Sequence, residues 1–182
     1  MDPKPWEKIS EKVKGDFRIF KIRDVLYKSP RTGKNHRFYR LEGNDWINVI
    51  PITKDKEVVM VKQYRMGTET IELEVPGGIL EDNEEPEEAA IRELEEETGY
   101  RGVTSRYLGA VKPNPAIQSN LCHTVLVEDV KRVSEQNLDP GEDIVVELVP
   151  YSKISELIEN GTIRHSLVIC AFHLLKQDVE DY

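Results

Sequence analysis

Apolar residues recur along this chain with two periods, and the change from one to the other marks its elements. Over residues 16–27 they fall at roughly every second position, first Phe17 and Ile19 and then Phe20, Ile22 and Val25, as a half-buried strand requires. Residues 28–35 interrupt the pattern with Pro30 and Gly33, and residues 36–41 resume it, so the stretch predicts a hairpin. A second apolar run covers 46–52. After a turn at Lys54-Asp55-Lys56, the unbroken Val58-Val59-Met60-Val61 predicts a central strand buried on both faces. Alternation returns over 70–75 and stops at Pro76-Gly77-Gly78.

The period lengthens over residues 85–98, the clearest helix. Pro86 suits a first turn, acids crowd the N-terminal half, and Gly99 suits the C-terminal stop. Strands are expected at 103–111, 119–127 and 144–150, and helices at 151–160 and 164–177 with Gly161 between them. Strands and helices intermix without repeat or linker. The fold class is therefore α/β (α+β), with a mixed β-sheet sandwiched between helices. A length of 182 residues suits a single core.

Composition narrows the partners. The net charge of -9 argues against a surface that tracks nucleic acid phosphates. No run reaches the ~18 apolar residues of a membrane span, and the first ten residues carry no apolar signal core, so a cytoplasmic protein with no membrane association is expected. Cys122 and Cys170 stand far apart in apolar settings and read as reduced core thiols.

The chemistry is written on the helix. Glu93, Glu96 and Glu97 sit at i, i+3 and i+4 and share one face, while Ile91 and Leu94 lie on the other. Like charges at this spacing weaken an isolated helix by a few tenths of a kcal/mol per pair. That cost is tolerated where a cation binds, and all-oxygen ligands suit Mg2+, with Mn2+ able to substitute. The plainer alternative is a solvated acidic face.

The rest of the pattern decides between them. Gly78 is followed after five residues by Glu84, after seven more by Arg92-Glu93-Leu94, then by Glu96-Glu97 and Gly99-Tyr100. This resembles the Nudix box at every fixed position. The resemblance implies a Nudix fold, with residues 43–182 as the hydrolase domain and 1–42 as an N-terminal antiparallel strand extension used for dimerisation. It implies a metal held by Glu93, Glu96, Glu97 and the main-chain carbonyl of Gly77, with Arg92 orienting the carboxylates and Glu97 central to catalysis.

Outside the box the chain is similar to the ADP-ribose and nucleoside diphosphate sugar pyrophosphatase branch. Pro115 lies 16 residues after Gly99, and Gln63-Tyr64-Arg65 and Glu74 match positions near the substrate. In the acidic segment Asp139-Pro140-Gly141-Glu142-Asp143, Glu142 best matches the general base, ahead of Asp139, Asp143 and Glu84. Relatives in the branch are homodimers whose N-terminal strands help form the nucleotide pocket, which makes Phe20, Tyr27 and Phe38 stacking candidates. The expected activity is cleavage of a nucleoside diphosphate sugar to a nucleoside monophosphate and a sugar phosphate. The alternatives are a Nudix enzyme acting on nucleoside triphosphates or dinucleoside polyphosphates, and an inactive Nudix ligand-binding module.

Overall fold

The computed structural model describes residues 2–178 and divides the chain into two compact units, residues 1–44 with 112–121 and residues 45–111 with 122–182. The smaller unit is an antiparallel sheet of β1 (Glu7–Asp16), β2 (Lys21–Lys28) and β3 (Asn35–Glu42), in that order. Segment 112–121 joins it where the Leu41 amide donates to the Ile117 carbonyl at 2.7 Å.

The single strand expected over 16–27 is instead a turn followed by β2. The Phe17 amide donates to the Phe20 carbonyl at 2.9 Å, and Arg18 takes a left-handed φ of 66° with its amide on Asp16 Oδ1. Phe17 and Ile19 imitate strand alternation but point outward, both more than half exposed. Strand β1 escapes a periodicity search for the opposite reason. Its apolar positions, Ile9 and Val13, are four apart among charges and remain exposed.

The larger unit holds a mixed sheet with the path β11-β5-β4-β10-β8, formed by β4 (Trp46–Thr53), β5 (Glu57–Arg65), β8 (Tyr100–Arg101), β10 (Cys122–Arg132) and β11 (Ile144–Pro150). β6 (Thr70–Glu74) pairs with β5, β7 (Gly77–Ile79) with β4, and β9 (Thr104–Val111) with β10. β4 and β10 run parallel, and the remaining pairs are antiparallel.

Both faces of this sheet are covered. Val59, Ile47, Val49, Val125 and Val127 pack with Ala89, Ala90 and Leu94 of α1 (Pro86–Thr98). Val58, Met60, Ile50, Ile52 and Leu126 pack with Ile154 of α2 (Ile154–Glu159), with Ile163, and with Val168, Ala171, Phe172 and Leu175 of α3 (Ser166–Asp178). Neighbours in β5 thus face opposite layers, which explains the unbroken apolar run. A 3-10 turn, Tyr151–Lys153, precedes α2 where one longer helix was expected.

β10 continues past the expected end at 127 because Asp129, at φ 53°, forms a bulge between Glu128 and Val130 that absorbs the acidic residues. Pro76-Gly77-Gly78 reads as a stop, yet residues 77–79 pair with β4. A Cβ on Gly77 would collide with the Ile47 carbonyl, so the pairing depends on glycine. Cys122 and Cys170 are free, and burial pushes the Cys122 thiol up to about 12. Among the described residues no helix is long and apolar enough to cross a membrane.

Candidate active site

Helix α1 carries the acidic face. Pro86 opens it, and Gly99 ends it in the left-handed region at φ 74° with its amide on the Glu95 carbonyl. Leu94 and the two alanines anchor the helix in the core, and Ala90 and Ala89, three and four residues before Glu93, lie beside it, so the same packing fixes the acidic arc.

Arg92 is the hub of that arc. Its guanidinium meets Glu84 twice, Nε to Oε1 at 2.8 Å and Nη2 to Oε2 at 2.9 Å. Nη1 reaches Glu93 Oε1 at 2.8 Å and Glu96 Oε2 at 3.2 Å. Glu84 also accepts the Glu81 amide, and Arg92 chiefly holds its carboxyl below the usual carboxylate range. Glu84 is therefore clamped, which makes it a poor proton acceptor.

Glu97 is different. It is only 4% exposed and accepts the Gly77 amide at 3.0 Å. Burial above all, then the charges of Glu93 and Glu142, push its carboxyl up to about 8 against the favourable Gly77 contact. Burial also raises Glu93, whose carboxylate occupies the space a Cβ on Gly78 would fill. Among the described residues no three His, Cys, Asp or Glu side chains converge closely enough to hold a metal ion as they stand. Arg92 draws Glu93 and Glu96 to itself, and the Gly77 amide draws Glu97.

Beside the two glycines opens a cleft of about 1070 Å³. Arg65 and Glu74 line it together. The guanidinium donates twice to a carboxylate only 2% exposed, at 2.9 and 2.6 Å. Glu97 and Glu142 lie near enough for their charges to favour the Arg65 cation. Gly141 and Asp143 also line the cleft, while Glu142 accepts the Asp139 amide at 2.9 Å across its turn. Thus Arg65, Glu74, Gly77, Glu93, Glu97 and Glu142 are gathered around one region. Phe20 and Pro115 belong to the smaller unit, where Phe20 packs on Phe17 with ring centres 5.3 Å apart.

Several contributors carry no sequence signature. Gln136 Nε2 donates to the Glu97 carbonyl at 2.6 Å and to the Ile144 carbonyl at 3.2 Å, and the Asn137 amide donates to the Glu96 carbonyl at 2.8 Å. These bonds tie the acidic loop to the C-terminal end of α1. Glu72, Arg164 and His165 also line the cleft. They come from β6 and from the approach to α3, 92 residues apart for the Glu72–Arg164 pair, and no local pattern announces such a meeting.

Comparison with known proteins agrees with this geometry. The NUDIX domain profile matches residues 46–172. The chain is 32% identical over 131 residues to the ADP-ribose pyrophosphatase of Bacillus subtilis, covering 71% of each chain. It is 29% identical over 180 residues to the GDP-mannose pyrophosphatase of Escherichia coli K12, covering 92% of this chain and 93% of that one. A crystal structure of an ADP compounds hydrolase superposes with a TM-score of 0.86 at 22% identity, over 97% of this chain and 95% of the other.

Proposed function

The chain belongs to the Nudix family of hydrolases acting on phosphoric anhydride bonds, and from that premise we propose that it cleaves the diphosphate bond of nucleoside diphosphate sugars, ADP-ribose or a related compound. The products are a nucleoside monophosphate and a sugar phosphate. One observation carries the reading. A buried carboxyl, Glu97, stands among like charges beside a cleft whose Arg65 is fixed by a buried Glu74.

The residues suit a divalent ion. The donors are all oxygen, and burial, then the neighbouring carboxylates, disfavour the ionised form of Glu97. Glu93, Glu96, Glu97 and the Gly77 carbonyl would hold Mg2+, with Mn2+ as a substitute. When bound, the ion neutralises phosphate charge and lowers the pKa of water.

The chain's own groups do the rest. Arg65, held planar against Glu74, presents a fixed cation to a phosphoryl oxygen. Arg92 spaces the box carboxylates. Glu142 accepts the proton of the attacking water as the bridging P–O bond breaks, and the leaving phosphate carries away that bond's electron pair.

A homodimer, with Phe20 and Pro115 of the smaller unit contributing to substrate binding, completes the reading. It is supported by the apolar side chains that this unit exposes, including Trp6, which packs on Phe38 at 5.6 Å. Light scattering is expected to give about twice 21.0 kDa, and a monomer that turns over substrate refutes the dimer.

The deciding experiment is a turnover panel of ADP-ribose, GDP-mannose, UDP-glucose, a dinucleoside tetraphosphate and nucleoside triphosphates, with magnesium and with excess chelator. Sugar phosphate release that stops in chelator is expected. Pyrophosphate release from triphosphates alone replaces the substrate assignment, and full activity in chelator removes the metal.

A further inference from the structure

Two buried glutamates, Glu72 and Glu74, stand two residues apart on β6, about 6.8 Å along a strand, and both line the cleft. Each meets an arginine. Glu74 holds Arg65, next to the box. Glu72, 7% exposed, accepts Arg164 Nε at 3.3 Å and the Thr70 hydroxyl at 2.6 Å. The Thr70 hydroxyl and then the Arg164 cation keep the Glu72 carboxyl below its ordinary range, so it stays ionised as an acceptor. The Arg164 side chain is 59% exposed and lines the same cleft.

We propose that Glu72 and Arg164 form a specificity-determining subsite that takes the hydroxyl groups of the sugar attached to the diphosphate. This rests on the function proposed above. The position follows from the strand. Glu74 precedes Gly77 and Gly78 of the box, and the row Glu74, Glu72, Thr70 leads away from it along β6. A diphosphate placed at the box and Arg65 therefore directs its next group toward Glu72.

The chemistry follows from the charge. One buried carboxylate and one guanidinium cancel, leaving a neutral pair with a strong acceptor and strong donors. A further phosphate would lose to the Glu72 carboxylate what it gains from the Arg164 cation, so the pair gives it no net attraction. A sugar hydroxyl donates to the carboxylate and accepts from the guanidinium at once, as vicinal diols do. Such a site discriminates strongly, because a substrate lacking the hydroxyl leaves buried polar groups unpaired.

The test compares ADP-ribose with the β-methyl ester of ADP, which keeps the adenosine diphosphate and lacks the terminal sugar. Arg164→Gln is the first variant, because a half-exposed side chain is safe for folding, and Glu72→Gln is the second. The expected result is a fall of about tenfold to a hundredfold in the ratio of kcat/KM for ADP-ribose over the methyl ester, carried mainly by KM. An unchanged ratio in both variants overturns the subsite. If the wild-type chain hydrolyses no nucleoside diphosphate sugar, the functional reading falls and this proposal falls with it.

Discussion

The carboxylates of α1 and those of the loop 139–143 occupy the same neighbourhood on opposite terms. On the helix, Glu93 and Glu97 are held from several sides, by the core beneath them, by Arg92 and by the Gly77 amide. On the loop, Glu142 hangs from a single turn closed by the Asp139 amide, and both flanking residues are exposed. Yet the helix registers the loop's charge, since Glu142 raises both Glu93 and Glu97. A helix fixed by buried alanines and leucine keeps its carboxylate-bearing face in one place. A turn on the surface is free to approach a substrate and carry a proton off. The contrast is why we propose metal binding for the first and general-base work for the second.

Removing one helix charge attacks the more rigid half of this comparison. Glu97→Gln keeps the shape and the contact with Gly77 while deleting the charge of the proposed metal ligand. It is expected to lower kcat by about 10²–10³-fold at saturating magnesium, the scale on which a lost electrostatic contact to the transition state is felt. Near-normal kcat would reduce Glu97 to a buried structural residue.

Glu142→Gln tests the other half and should cost about 10²-fold in kcat with little change in KM, within the usual range of general-base catalysis. A mild effect here and a large one for Asp139→Asn or Asp143→Asn would move the base within the loop and break the assignment to residue 142.

These two halves were not equally legible in the sequence. The box is read directly because its chemistry is local. A helix places i, i+3 and i+4 on one face whatever the rest of the chain does. The doubly covered central strand was equally plain from Val58-Val59-Met60-Val61. What stayed hidden depends on contacts between distant segments. Gln136 binds the Glu97 carbonyl, and Arg164 meets Glu72 across 92 positions. β1 carries no burial pattern because its apolar residues remain exposed, and Phe17-Ile19 imitates a strand because a turn happens to alternate.

The smallest expected effect separates the charge on Glu97 from its catalytic role. In chelator, burial and the neighbouring carboxylates raise its folded-state pKa to about 8 from an ordinary 4.5. A raised carboxyl gives stability that is fully present below the unfolded value and is lost as pH climbs through the folded one. Tm of the metal-free wild type should therefore fall, through this group, between about pH 4.5 and pH 8. Glu97→Gln has no proton to lose there. Carboxyls held low, such as Glu42 and Glu84, act in the opposite sense and at lower pH, and they cancel in the comparison with the variant. The two proteins should melt together near pH 5, with the variant ahead by several °C at pH 8.5, at about 2–4 °C per kcal/mol for a chain of this size. Saturating magnesium should close that gap, because an ion that binds the ionised carboxylate stabilises the form that burial disfavours. Parallel melting curves across the whole range would mean that the Glu97 carboxylate is already compensated without any metal, and the case for an ion at this helix would lose its electrostatic support.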